Sequence, residues 1–181
     1  IYRGSTVPML EDALKYASLY NLGVTIEFAS LQNWTDDDTT NVLALCDRYG
    51  VTDNLIVIDP TGLDITFLRK CVAHNSKISA YVGAIPAWWT DANIDRVNAL
   101  KTGENKIYVQ VYPWGSLPTD NFIRVAKTND WCLYNSTPMT ISALLNLQLF
   151  SRGFTLIEAN NVYMVKDTVR NWADSLVTFN Q

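Results

Sequence analysis

The sequence has one histidine, His74, and only three cysteines. Cys46, Cys71 and Cys132 lie far apart in apolar segments, and no two of them form a C-x-x-C pair. Zinc sites need several thiolate or imidazole ligands at close spacing, so this pattern argues against zinc and favours buried, reduced thiols. The cysteine pattern does not indicate whether the protein resides in a reducing or an oxidising compartment.

Long apolar runs and clusters of basic residues are also missing. No run approaches the roughly 20 residues that a helix needs to span a bilayer. The net charge is -4 and the Lys and Arg residues are scattered, so the sequence has no basic patch of the kind that binds nucleic acid or an anionic membrane. The first residues, IYRGSTVPML, lack the basic segment and apolar core of a signal peptide. We predict a soluble protein with no membrane span and no nucleic-acid partner.

Strand and helix patterns alternate over a composition typical of a folded domain, with 48% apolar and 18% charged residues among 181. We predict a single domain over residues 1–181. Apolar alternation predicts strands at 23–29, 54–59, 77–83, 106–112, 130–135 and 153–158. Helical spacing predicts a helix between each pair, a first helix over 8–20 and a last over about 166–177. Since each helix returns the chain to the same end of the sheet, the strands should be parallel.

Two parallel α/β architectures accommodate six strands. An open doubly wound sheet has room for them, but neither G-x-G-x-x-G nor a P-loop follows any predicted strand. A (β/α)8 barrel has typically about 250 residues, so this chain would be two units short. Composition and periodicity do not choose between the two.

Three stretches of the chain carry longer motifs: YRGSTVPMLEDALKYASLYNLGVTIEFAS, LALCDRYGVTDNLIVI and WCLYNSTPMTISALLNLQLFSRGFTLIEANN. In this order they resemble segments of the glycerophosphodiester phosphodiesterase family. The first is similar to its P-T-L-E-E-x-L helix and the strand ending in E-x-K. The second resembles the next helix and strand, and the third the W-T-V-N-D strand and the closing G-V-D-G-I-I-T-D strand. The resemblance implies a TIM-barrel-type (β/α)8 fold in which the six strands match strands three to eight.

The resemblance also implies a divalent-cation site, for Ca²⁺ or Mg²⁺, with Glu27 as metal ligand because it matches the Glu of E-x-K. Asn135 is retained as well. Ala29, however, stands where the family has Lys, and Asn160 replaces its final Asp. The family's H-R-G segment, E-x-D pair and second histidine belong to the two absent units, and His74 lies in a helical run. Phosphodiester cleavage needs a cation and a proton donor, so we predict an inactive domain.

Aromatic residues follow several of the predicted strands. In a parallel sheet these positions all lie at the C-terminal mouth, where they suit stacking on sugar or polyol faces or burial under a partner. Packing over the barrel top is the alternative. With two polar residues at strand ends, the candidate ligand-binding residues are Trp34, Trp88, Trp89, Tyr112, Trp114, Asn135 and Glu158.

The acidic run TDDDTT, from Thr35 to Thr40, superficially resembles a cation-binding loop. It stands immediately before a helical pattern. Asp and Thr at this position cap the helix and face its positive end, so we predict capping rather than cation binding.

Three functions fit these observations. The leading hypothesis is a divergent, inactive glycerophosphodiester phosphodiesterase-like module that binds glycerol-phosphate or sugar polymers at a cell surface, as in a phage tail. Such a module would be virion-associated or extracellular. The alternative is a metal-dependent hydrolase of glycerophosphodiesters, completed by an upstream segment with the catalytic histidines and E-x-D carboxylates. The third is a structural module whose mouth a partner blocks.

A barrel without two adjacent units exposes two strand edges, near Glu27 and Ile157. We expect these edges to be covered by the missing N-terminal barrel segment, by another protein chain or by a rearranged closure. The sequence starts at Ile1 without an initiator Met, which we interpret as a processed product, an excised domain or part of a longer polypeptide.

Overall fold

The computed structural model of the protein describes residues 9–28, 34–58, 65–84, 89–111, 119–136 and 152–158. Helices and strands alternate along these residues. They are α1 (Leu10–Leu19), β1 (Val24–Glu27), α2 (Asp36–Arg48), β2 (Leu55–Ile58), α3 (Ile65–His74), β3 (Ser79–Ala84), α4 (Asp91–Asn98), β4 (Ile107–Val111), α5 (Asp120–Thr128), β5 (Cys132–Ser136) and β6 (Phe154–Glu158). A short 3-10 helix, Thr52–Asn54, precedes β2. The six predicted strands are confirmed, whereas the helices predicted after β5 and β6 lie outside the described residues.

The strands are hydrogen-bonded in chain order, from β1 to β6. The pairs β1–β2, β2–β3, β4–β5 and β5–β6 are parallel. A doubly wound sheet reverses its strand order at a switch point, whereas a barrel adds each new strand beside the last one. The prediction of a parallel, barrel-type α/β fold is confirmed.

The chain forms two compact units. The first comprises residues 1–82 and 94–107, and the second comprises 83–93 and 108–181. Each unit has buried apolar residues of its own. The single domain over residues 1–181 stays a prediction.

In the first unit, successive residues of each strand point to opposite faces of the sheet. Phe28, at the end of β1, packs against Phe67 of α3 and so marks the helix-facing side. Ile26, two residues before Phe28, lies on the same side. It pairs with Val57 of β2, and Val57 pairs with Ala80 of β3. Val57 and Ala80 are fully buried. Further buried residues of this core are Leu14, Leu43, Cys46, Leu55, Leu68, Cys71, Ile78 and Val82. Thr25 and Glu27 lie on the other face, and both are exposed.

The second unit has an aromatic core around α5 and β5. Trp131 is buried, and its ring centroid lies 5.3 Å from that of Trp89. Trp89 also packs edge-on against Phe122 of α5, with centroids 5.3 Å apart. Three large rings therefore fill the space between this helix and its strand.

The three cysteines are free thiols. Burial, with a smaller contribution from the charge of Asp47, raises the pKa of Cys46 to about 11. Burial raises the pKa of Cys71 to about 12. The prediction of buried thiols is confirmed for these two, whereas Cys132 is only half-buried. Among the described helices, none has the length and apolar character needed to cross a membrane.

Candidate functional site

Glu27 is the last residue of β1, at the C-terminal end of the strand, where barrel sites are built. Its side chain is exposed on the face opposite the helices. Across the sheet it is in register with Ile58 of β2, which pairs with Tyr81 of β3. The strand neighbours of this carboxylate are thus an aliphatic and a phenolic side chain rather than further carboxylates.

The described residues do not fit the divalent cation that the resemblance implied. Ca²⁺ and Mg²⁺ take about six or more oxygen ligands, and dedicated protein sites for them gather several carboxylates or carbonyls. Over the described ranges, no three His, Cys, Asp or Glu side chains come together as a metal site would require. Glu27 remains a candidate ligand only in combination with residues beyond those ranges.

His74 lies at the opposite end of the sheet from Glu27. It is the last residue of α3, a helix that runs from the C-terminal ends of the strands back to their N-terminal ends. Its Nε2 is 2.7 Å from Oδ2 of Asp47, whose Oδ1 accepts a 2.6 Å hydrogen bond from the Thr52 hydroxyl. This histidine ties α3 to the end of α2 and does not serve the barrel mouth.

The Asp47 cluster should make stability depend on acid pH. Burial opposes ionisation, but hydrogen bonds from Thr52 and His74 outweigh it and hold the pKa of Asp47 below its ordinary value. A depressed folded-state pKa stabilises the fold above the ordinary Asp pKa of about 3.9, and this stabilisation is lost as the pH falls through the folded-state value. We expect the urea midpoint to drop between pH 5 and pH 3, and to drop less in Asp47→Asn. An equal drop in both proteins would contradict this role.

The acidic run before α2 caps that helix, as predicted. The Thr35 hydroxyl accepts a 3.1 Å hydrogen bond from the Asp38 backbone N–H, and the Asp38 carboxylate accepts a 2.9 Å bond from the Thr35 backbone N–H. This reciprocal capping box leaves Asp36, Asp37 and Asp38 in the first turn, against the positive end of the helix. The hydrogen bonds from Thr35 also lower the pKa of Asp38.

Trp34 stands directly before this cap and is 37% exposed. Its ring packs edge-on against Phe28, with centroids 5.1 Å apart, and Phe28 packs in the same way against Phe67 at 4.9 Å. Phe28 itself is fully buried. Two edge-on aromatic contacts, which we call the aromatic stack, therefore support an indole that remains partly open to solvent.

Trp34 lines an open cleft of about 140 Å³ at the beginnings of α2 and α3. We call it the Trp34 cleft; its lining residues are Trp34, Thr35, Asp36, Thr39, Thr66, Phe67 and Lys70. The Lys70 ammonium donates a hydrogen bond to the Asp36 carboxylate, and the two groups form an exposed ion pair. An aromatic face beside hydroxyls and an ion pair suits a ligand that offers apolar C–H faces and hydroxyl groups.

The sequence predicted Trp34 as a ligand-binding residue but not Asp36, Thr66 or Lys70. Lys70 is 34 residues from its partner Asp36 and belongs to a different helix. Only the packing of α2 beside α3 brings them together. The one available signal was that both helices begin after C-terminal strand ends.

The other predicted site residues fall into three groups. Trp89 is half-buried in the aromatic core of the second unit, which matches the packing alternative; its ligand contact stays a prediction. Asn135 pairs with Ile157, and Ser136 with Glu158, so the backbone places Asn135 and Glu158 near adjacent strand ends. Trp88, Tyr112 and Trp114 lie outside the described residues.

The fold is that of TIM-barrel-type α/β proteins. It is similar to a structure assigned to the glycerophosphodiester phosphodiesterases from Galdieria sulphuraria, with a TM-score of 0.68 and 15% identity over 91% of this chain. A structure from Silicibacter pomeroyi assigned as a glycerophosphoryl diester phosphodiesterase has a TM-score of 0.66 and 13% identity over 92% of this chain. The aldolase QR15 has a TM-score of 0.59 and 10% identity over 90% of this chain, and 80% of the aldolase is covered.

These identities are low, so the similarity establishes the fold alone. The chain spans only 64% and 57% of the two phosphodiesterase structures. No protein-family model and no curated protein sequence matches it. The barrel-type fold predicted from the motifs is confirmed, and the activity is a separate question.

Proposed function

We propose that the protein is a divergent, catalytically inactive glycerophosphodiester phosphodiesterase-like barrel that binds glycerol-phosphate or sugar polymers. The observation that carries this proposal is the position of His74. It is the only histidine of the sequence, and it is bonded to Asp47 at the end of the sheet away from Glu27. Residues 1–181 therefore offer no imidazole for proton transfer beside that carboxylate.

The Trp34 cleft supports the binding part of the proposal. Carbohydrates and polyols present apolar C–H faces and hydroxyl edges, which match an indole ring and hydrogen-bonding side chains. Thr66 and the Asp36–Lys70 pair line the same cleft as Trp34. A cell-surface setting such as a phage tail, virion-associated or extracellular, would present polymers of this chemistry.

Binding of a glycerol-phosphate polymer and of neutral oligosaccharides, measured by calorimetry, tests the proposal. Trp34→Ala should weaken binding by about tenfold or more, since a lost stacking contact is worth on the order of 1.4 kcal/mol. Glu27→Ala should bind as the wild type does. Tyr20→Ala, which removes an exposed ring just past the end of α1, is the matched control. Binding that ignores Trp34, or no binding of either polymer, would contradict the proposal.

A metal-dependent hydrolase is the second candidate function. The exposure of Glu27 at the strand end favours it, because a longer parent chain could add the histidines and carboxylates that complete a metal site. Hydrolysis of glycerophosphocholine with Mg²⁺ or Ca²⁺ tests this candidate. Turnover by the 181-residue chain that disappears in Glu27→Ala would overturn our preference for an inactive module.

A further inference from the structure

The polar groups that line the Trp34 cleft are not equally available to a ligand. Two of the three threonines are used within α2 and its cap: the Thr35 hydroxyl belongs to the capping box, and the Thr39 hydroxyl donates to the Thr35 carbonyl. Thr66, the second residue of α3, is exposed. A ligand in the cleft therefore meets the Thr66 hydroxyl and the ion pair of Asp36 and Lys70.

The Asp36–Lys70 pair offers a hydrogen-bond acceptor and a donor side by side. The ammonium donates to Oδ1 of Asp36, and both side chains remain open to solvent, with exposures of 83% for Asp36 and 50% for Lys70. A carboxylate accepts up to about four hydrogen bonds and an ammonium donates three, so each group has capacity beyond the pair itself. Two adjacent hydroxyls of one ligand satisfy this arrangement, since one donates to Asp36 while its neighbour accepts from Lys70.

The size of the cleft suits one unit of a polymer. Its volume is about 140 Å³, whereas pockets that enclose a whole small molecule measure about 300–1,000 Å³. The indole of Trp34 forms the apolar wall, supported from behind by Phe28. A single sugar ring can place its C–H face on this indole and its hydroxyl edge toward the Asp36–Lys70 pair.

The charges beside the cleft disfavour an anionic unit. The carboxylates of Asp36, Asp37 and Asp38 occupy the first turn of α2. Among the described residues that line the cleft, Lys70 is the one basic side chain. A phosphate that takes Lys70 from Asp36 leaves that carboxylate unpaired beside a second negative charge, and such like-charge contacts are unfavourable. A neutral ligand leaves the ion pair intact.

We propose that the Trp34 cleft binds one neutral sugar unit through two adjacent free hydroxyls, and that Asp36 determines this specificity. The inference rests on the proposed function and narrows it, because the recognised unit is a saccharide with a vicinal diol rather than glycerol phosphate. Each internal unit of a glycerol-phosphate polymer linked through its two terminal carbons has a single free hydroxyl. Such a unit has no adjacent hydroxyls with which to meet both Asp36 and Lys70.

Calorimetry with three β-1,4-linked hexasaccharides and a glycerol-phosphate polymer tests the proposal. Cellohexaose and mannohexaose have free hydroxyls on adjacent ring carbons, in two different relative orientations, whereas chitohexaose has an acetamido group in place of one of them. We expect the better of the first two to bind about tenfold or more tightly than chitohexaose and than the polymer. That difference is what one hydrogen bond to a charged group contributes.

Asp36→Asn and Asp37→Asn are matched variants, because each removes one carboxylate charge from the same exposed turn. Of the two positions, Asp36 alone is among the described residues that line the cleft. Asp36→Asn should weaken binding of the preferred hexasaccharide by about tenfold and strengthen binding of the polymer, since Lys70 is then released from its ion pair. Asp37→Asn should leave the ratio of the two affinities within about twofold of the wild-type ratio, because solvent and salt screen its exposed charge.

Binding of chitohexaose or of the polymer as tightly as the better of the other two hexasaccharides would overturn this inference. Equal effects of Asp36→Asn and Asp37→Asn on the affinity ratio would overturn it as well. If the binding in either case is still lost in Trp34→Ala, the proposed function stands and only its narrowing fails. Failure of all four probes to bind would overturn both.

Discussion

Asn105→Ala is expected to lower the free energy of unfolding by about 3 kcal/mol, since each buried polar group left without a partner costs on the order of 1–3 kcal/mol. Asn105 is 1% exposed. Its Nδ2 donates to the carbonyl of Leu100 at 2.9 Å and to that of Ile78 at 3.2 Å, and its Oδ1 accepts from the Thr102 backbone N–H at 2.9 Å. One carboxamide thus supplies hydrogen-bond partners for backbone groups in the turn after α4 and for the carbonyl of Ile78, the residue that leads into β3.

Urea unfolding measures this effect, and two further variants separate its causes. Thr102→Ala removes only an exposed hydroxyl that donates to the Ser76 carbonyl, and should cost less than about 1 kcal/mol. Asn105→Asp keeps the shape but places an acceptor against two carbonyls, so it should destabilise most at neutral pH, where the carboxylate is charged. A loss below about 1 kcal/mol for Asn105→Ala would show that the backbone groups find other partners.

Phe28→Ala is expected to cost about 4 kcal/mol, within the range for truncating a buried phenylalanine. Phe28 is fully buried, and its ring contacts both Phe67 and Trp34. Truncation leaves a cavity under α3 and removes the ring against which the indole packs. The variant should therefore lose polymer binding as well as stability.

Phe28→Leu and Trp34→Ala are the matched comparisons. Leucine refills part of the cavity, so Phe28→Leu should cost less than half as much. Trp34→Ala removes a partly exposed ring and should change stability far less than binding. If Phe28→Ala loses stability but binds polymer as the wild type does at a temperature where it is folded, the aromatic stack does not position the indole for ligand.

Local patterns in the sequence predicted the elements of this fold. The alternation in GVTIEFAS located β1 and separated Ile26 and Phe28 from Glu27, because successive strand residues point to opposite faces. The run TDDDTT predicted the cap of α2 because a capping box involves residues only three apart. Longer motifs then favoured the barrel, and the strand order agrees with them.

Contacts between distant segments were not predictable in this way. Asp36 and Lys70 meet because α2 packs beside α3, and nothing in their spacing along the chain predicts that contact. Asn105 looks like an ordinary loop residue until its carboxamide is seen to join segments 27 residues apart. Trp34 and Trp89 follow similar strand patterns, yet the first lines an open cleft and the second packs among rings.

Composition and local spacing were enough to give the kinds of element, their order, the parallel sheet and the presence of a single histidine. Each of these depends on composition or on residues a few positions apart. Packing in three dimensions places His74 away from Glu27 and gives Trp34 polar neighbours from two helices. Those facts depend on which surfaces pack together. That packing results from many weak contacts between residues far apart in the chain.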